Sequence, residues 1–347
     1  MAAALAPPRA FGEPSGSGRL RTEPEDFVVE EDLGFAASGS GPHVLLRVRK
    51  RNANTDWVAR ELARAAGCRV NEVGYAGLKD RHAVAVQWFS VPLPRARSGV
   101  AIGDLATLRG DGFEVLEAHA HSRKLPRGAL AGNRFTIRVR DLNAPREPVE
   151  QRLKVIAQEG VPNYFGPQRF GRDGANLGRI VRDPRLIHPR ERTYVLSAAR
   201  SLVFNAVLAA RVADGTWRQL EPGDVANLDA RGSVFPVETV DEPLRERAAR
   251  LELHPTGPLW GKDELLSQGR VRALEEGTAA RFDDACALVS AAGMRQERRS
   301  LRLAARALEW QWEGSDLVLR FWLARGSFAT TVLREVVDTP ATGLGQE

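Results

Sequence analysis

The sequence predicts an α+β protein: a mixed or antiparallel sheet domain built from both ends of the chain and flanked by helices, with a mainly helical insertion between. Three observations carry this expectation. Apolar residues alternate at the strand period in the first 142 positions and again over 308–323. From about 148 to 292 they recur mostly at helix spacing. The 347-residue length suits two domains, since single domains commonly run about 100–200 residues.

Taken in order, the first strand is expected over 26–32 and the second over 43–50, where Val44, Leu46 and Val48 alternate with Leu45, Arg47 and Arg49. Asn54 or Thr55 can cap an amphipathic helix over 54–66, with Trp57, Val58, Leu62 and Ala66 as its apolar face and Gly67 as its end. Strands follow over 83–91 and 134–142, the latter carrying Phe135, Ile137 and Val139 on one face. From Pro148, the spacing of Val149, Leu153 and Ile156 predicts a helix up to Gly160, and further helices are expected over 194–212, 243–253 and 270–292. Leu308, Trp310 and Trp312 then alternate, Glu313-Gly314-Ser315-Asp316 forms a turn, and Leu317, Leu319, Phe321 and Leu323 complete a β-hairpin. The sheet domain is therefore assigned to residues 1–160 plus 304–347, and the insertion to 161–303.

Composition narrows the function. The formal charge of +6 favours a polyanionic partner, because Lys and Arg that neutralise phosphates release condensed counterions. The runs Arg47-Val48-Arg49-Lys50-Arg51 and Arg123-Lys124-Leu125-Pro126-Arg127 are the local candidates for phosphate contacts, weighed evenly against solvated charged faces. Cys68 and Cys286 stand far apart without a CxxC or His-rich neighbourhood, which argues against a zinc site or disulfide framework and fits a reducing, cytoplasmic setting. No run of about 20 apolar residues predicts a membrane span, and the first residues do not read as a signal peptide. GxGxxG, Walker and HExxH patterns are absent, so nucleotide hydrolysis and zinc hydrolysis are disfavoured.

The run Gly74 to Ala83, Gly-Tyr-Ala-Gly-Leu-Lys-Asp-Arg-His-Ala, carries the most chemistry. It sets Asp80 between Lys79 and Arg81, and an opposite charge within a few ångströms holds a carboxylate ionised. Glycines permit close approach of a ligand, and the following strand anchors the loop. An ionised, anchored carboxylate serves as nucleophile, general base or ion-pair partner. On the residues alone, an acid between two cations is more often a solvated surface cluster.

The string Ala76-Gly77-Leu78-Lys79-Asp80-Arg81-His82-Ala83 resembles the signature of the TruD family of tRNA pseudouridine synthases. Further segments resemble the same family in the same order, from Glu23-Pro24-Glu25-Asp26-Phe27-Val28-Val29-Glu30 through Asn54 to Glu61, Gly128 to Phe135, Val161 to Gly171 and Leu196 to Ser201 to Gly326-Ser327-Phe328-Ala329-Thr330. Ala85 departs from the pattern, standing where a threonine or similar polar residue is expected. The resemblance implies a pseudouridine synthase sheet core interrupted by an insertion domain. It also implies uridine 13 of tRNA as target. The expected reaction needs no cofactor, no metal site or protein partner is expected, and the expected state is a monomer. Asp80 is then the catalytic nucleophile. Phe27, Asn133 and Phe328 contact the substrate, and Arg21 is the cation that keeps Asp80 ionised.

Without the resemblance, Phe27 and Phe328 read as core side chains and Asn133 as a turn residue. The segment 163–174, with Tyr164, Phe165, Arg169, Phe170 and Arg172, suits either an RNA-holding surface or a rigid elbow between domains. Two other functions stand beside the enzyme: a non-catalytic RNA-binding protein, and a metal-dependent nuclease pairing Asp80 with Asp26 or Asp173. For the enzyme, attack on the ribose, attack on the uracil ring and proton abstraction from the ribose are all open to Asp80.

Overall fold

A computed structural model of the chain describes residues 6–93 and 101–339. They form two compact units, one built chiefly from Gly16–Ala144 and Arg306–Gly326, the other from Pro145–Ala305 and Ser327–Asp338 with the chain before Gly16. Helices Arg146–Glu159 and Ala329–Val336 thus pack with the helical unit, whereas the sequence reading put both with the sheet.

The first unit is a ten-stranded mixed sheet. Its main path runs Arg306–Glu313, Asp316–Ala324, Gly132–Asn143, Phe27–Asp32, Val84–Pro92, His43–Arg51, Phe113–His121 and Arg109–Gly110. All pairings are antiparallel except that of 27–32 with 84–92, which run the same way with Val28 opposite Val84 and Val29 opposite Ala85. The expected hairpin forms, with Trp312 opposite Leu317. The strand expected over 26–32 begins one residue late, at Phe27, because Pro24–Asp26 makes a helical turn in which Asp26 accepts the Glu23 N–H at 2.9 Å, and an unexpected short strand, Ser17–Arg19, precedes it.

Cross-strand partners share a face, so Phe27, Val29, Glu31, Ala85, Gln87, Lys50, Asn133, Phe135 and Ile137 all lie on one side of the sheet. Helix Thr55–Ala66 covers part of that side through Val58, Leu62 and Ala66, which pack with Leu46, Val48 and Phe89. Trp57, expected on the apolar face, is 38% exposed instead. The strand 113–121 has no counterpart in the sequence reading: Glu114, Glu117 and His119 interrupt it and Ala118 and Ala120 give little apolar signal.

The second unit centres on helix Pro189–Ala213, whose Val195, Leu202, Val203, Phe204 and Leu208 are buried. Among the described helices this one is long and apolar enough to cross a bilayer, contrary to the sequence reading, but 61% of its apolar window is buried inside the protein. The segment expected to be one helix over 270–292 is two, Gly269–Ala279 and Asp283–Ala291, and the helix expected over 243–253 stops at Ala249. A four-stranded antiparallel sheet, ordered 234–236, 225–228, 253–259 and 297–300, completes the unit.

Candidate active site

The parallel pair fixes where the site forms. Strands 27–32 and 84–92 start at the same edge of the sheet, so the segments leading into them converge there. One carries Arg21, the other Asp80. The Arg21 guanidinium pairs with Asp80 Oδ2, with side-chain exposures of 13% and 19%. It also lies 4.3 Å from the centroid of the Phe27 ring. The other carboxylate oxygen, Oδ1, accepts the His82 N–H at 3.0 Å, so both oxygens are held. Arg21 has a left-handed backbone, φ 56°; such a conformation in a non-glycine residue costs about 1–3 kcal/mol and concentrates at functional sites.

The flanking cations do not do what the sequence suggested. Lys79 pairs with the fully buried Glu31 instead of Asp80, and Arg81 reaches the Asn52 carbonyl at 3.4 Å. Burial pushes the Glu31 carboxyl up, opposed by Lys79 and by the Trp88 N–H that Glu31 accepts at 2.8 Å.

Beneath the loop sits Lys50, with no solvent exposure. Its ammonium donates to the carbonyls of Ala53 at 2.8 Å, Lys79 at 3.1 Å and Asp80 at 2.8 Å. Gln87 Nε2 donates to the Gly77 carbonyl at 2.5 Å, and the Lys79 N–H donates to Thr55 Oγ1 at 3.2 Å, which in turn donates to Gln87 Oε1 at 3.1 Å. Thr55, expected as a cap, thereby ties the start of its helix to the Asp80 loop. Ala85, where a polar residue was expected, is buried directly across the ladder from Lys50. In sequence Lys50 belongs to a basic run, yet on the strand it continues the inward phase of Val44, Leu46 and Val48.

The rest of that run is not a free phosphate surface. Arg47 pairs with Glu30 and Glu117, Arg49 with Glu114, and Arg51 with Glu25. In the second run, Arg127 is exposed and stacks 3.6 Å from the Tyr75 centroid, while Lys124 donates to the Asn71 carbonyl at 2.6 Å.

Phe27 is 6% exposed and meets Phe135 edge-on at 6.0 Å, so it is both a core side chain and the ring under Arg21. Asn133 stands opposite Glu31 on the same sheet face, 9% exposed, and its Oδ1 has no hydrogen-bond partner. Phe328 belongs to the second unit, half-buried at the head of helix 329–336. Asp26 is 1% exposed and engaged by Arg140 Nε at 2.9 and 2.8 Å. Asp173 is in the other unit. No cluster of three His, Cys, Asp or Glu side chains suited to a metal occurs among the described residues.

The family model for TruD, tRNA pseudouridine synthase D, matches residues 10–180 and 185–336. The chain belongs to the TruD family. A TruD-family relative, tRNA pseudouridine synthase D of Nitrosococcus oceani, is 48% identical over 333 residues, spanning 94% of this chain and 92% of that protein. The enzyme of the same name from Xanthomonas axonopodis pv. citri is 45% identical over 357 residues, spanning 97% and 95%. The crystal structure of a Methanosarcina mazei protein assigned to TruD matches at a TM-score of 0.74 and 20% identity over 95% of each chain, a likeness of fold that bears out the expected α+β class.

Loss of the Arg21 guanidinium removes a charge-assisted bond worth about 1.5–3 kcal/mol. Arg21→Ala should therefore slow turnover roughly 10–150-fold while circular dichroism stays native. Equal activity in the variant would remove Arg21 from the site.

Proposed function

We propose that the protein isomerises uridine 13 of tRNA to pseudouridine, with Asp80 as nucleophile and the base turned out of its stack. The observation that carries this reading is the Asp80 carboxylate, held at both oxygens by Arg21 and the His82 N–H, in the motif this chain shares with TruD synthases. The tRNA substrate comes from the names of the relatives, and position 13 from the motif resemblance.

The reaction is an isomerisation. The bond from ribose C1′ to uracil N1 breaks, a bond from C1′ to C5 forms, C5 loses a proton and N1 gains one. Nothing is oxidised or reduced, so no redox cofactor is required. Turning the base out costs a few kcal/mol, which stacking on an aromatic ring offsets by about 1–3 kcal/mol. The resemblance gives Phe27 and Phe328 as substrate contacts, and Phe27 lies under the Arg21 guanidinium.

Asn133 gives the reading a separable test. A buried acceptor without a donor costs about 1–3 kcal/mol, and a substrate N–H or O–H delivered to Asn133 Oδ1 would recover it. Asn133→Ala should therefore lower kcat/KM roughly 10–100-fold, with a thermal midpoint no lower than wild type. A variant equally active but less stable would make Asn133 a packing residue.

The function itself is tested by carbodiimide mapping of unmodified tRNA transcripts incubated with the protein alone. A reverse-transcription stop at position 13 is expected. Tight tRNA binding with no stop at any position would move the assignment to the non-catalytic RNA-binding reading.

A further inference from the structure

The basic run 123–127 is a motif that the chemistry of Asp80 leaves without a role, and the fold sets its last arginine beside another from the far end of the same unit. Gly128 links the two. Its N–H donates to the Ala76 carbonyl at 2.6 Å, which ties the loop after the run to the segment leading to Asp80. Its carbonyl accepts Arg325 Nη1 at 3.1 Å, and the Arg325 N–H donates to the Ala131 carbonyl at 3.0 Å, so the end of strand 316–324 is held on the same loop. On the other side, the Arg127 guanidinium stands 3.6 Å from the centroid of the Tyr75 ring. That ring is a fixed support, since Tyr75 is 9% exposed and its hydroxyl donates to Asp56. Gly128 itself is uncovered: it has φ 76°, and a Cβ added there would meet nothing within 4 Å.

Both arginines are exposed, and among the described residues neither is paired with a carboxylate. Other arginines of this unit differ: Arg47, Arg49, Arg51, Arg138 and Arg140 each meet an acid, so their charge is cancelled where it stands. The acids on adjoining segments are engaged elsewhere. Asp56 takes the Tyr75 hydroxyl, and Asp32 takes Arg134 at 3.5 Å and Trp322 Nε1 at 3.1 Å. A guanidinium has five N–H donors, of which Arg325 commits one to Gly128. Two exposed cations on either side of an open glycine favour an anion, and planar guanidinium forks meet phosphate oxygens bidentately. Because they stand on an open surface and not in a closed pocket, a polymer backbone passing across them fits better than a small anion.

Accepting tRNA as the substrate, we propose that Arg127 and Arg325, on either side of Gly128, hold the phosphate backbone of the bound tRNA on the unit that carries Asp80. The run at 123–127 then contributes to RNA binding chiefly through Arg127, oriented by Tyr75, and its partner comes from a strand about 200 residues further along the chain. Each arginine neutralises one phosphate, which gives the site a measurable salt signature.

The test uses full-length protein carrying Asp80→Asn, so that turnover does not intrude, and labelled tRNA transcript titrated over a salt series. Arg127→Gln and Arg325→Gln should each weaken binding about 5–30-fold at low salt and reduce the slope of log K against log salt by about 1, and the double variant by about 2. Arg127→Lys should keep the slope, because the charge stays. Arg49→Gln, which removes an equal charge from an arginine already paired with Glu114, should leave it unchanged. A slope that either Arg127→Gln or Arg325→Gln leaves at the wild-type value overturns the proposal, whether or not affinity falls, since loss of packing alone does not release fewer counterions. An equal fall in Arg49→Gln also overturns it, because the slope would then report net charge and not contact. Absence of tRNA binding and of pseudouridine formation by the wild-type protein would instead reject the tRNA reading, a result distinct from wild-type activity with a salt slope that the two substitutions do not alter.

Discussion

Asp80→Asn should leave tRNA affinity within about threefold of wild type and reduce pseudouridine formation by at least roughly 10⁴-fold, the scale on which loss of a covalent nucleophile acts. The substitution preserves shape. The asparagine carbonyl still accepts the His82 N–H, which now meets Oδ1 at 3.0 Å, and the amide merely loses the ion pair with Arg21. Because that pair is largely buried, its loss should cost about 1.5–3 kcal/mol of stability. Release of tritium from tRNA labelled at uridine C5 is the suitable readout, since that hydrogen leaves only when the new carbon bond forms. Residual release within about tenfold of wild type would show that Asp80 anchors the site without attacking the substrate.

The sheet was legible wherever alternation was strong. Val44, Leu46 and Val48, Phe135, Ile137 and Val139, and the Leu317 to Leu323 set all lie on strands where expected. The strands of the helical unit were not, because they are short and carry Pro236, Pro255 and Pro258, residues that ordinarily argue against a strand. Asp80 was legible through its motif, and its pairing with Arg21 through the family resemblance, but not from the residues around it. Sequence neighbours suggested Lys79 and Arg81 as its partners, whereas the loop turns Lys79 toward Glu31 and brings in Arg21 from the segment before the adjacent parallel strand. The basic run at 47–51 reads as one patch in sequence. Strand alternation splits it, sending Arg47, Arg49 and Arg51 to acidic partners on one face and burying Lys50 on the other.

Lys50 is consequently the residue whose loss should matter most after Asp80. An ammonium has three donors, and the three carbonyls of Ala53, Lys79 and Asp80 receive them at 2.8, 3.1 and 2.8 Å. Lys50→Met keeps the stem and deletes the donors, leaving three backbone acceptors under the loop unsatisfied. Part of the loss is returned because no charge is then buried, so a net destabilisation of about 2–4 kcal/mol is expected. The effect on rate should be larger than stability explains, roughly 10²–10³-fold at a temperature where the variant is fully folded, because a displacement of about 1 Å at a reacting group costs about 10²-fold. Lys50→Arg should not rescue it, since a planar guanidinium does not fit a space shaped for a compact ammonium. The double variant with Asp80→Asn separates positioning from packing. If Lys50 acts through Asp80, adding Lys50→Met to Asp80→Asn should lower the thermal midpoint as before but reduce the residual rate no further. A folded Lys50→Met protein with a rate near wild type would mean that the three carbonyls hold the loop's shape without setting the direction of the carboxylate.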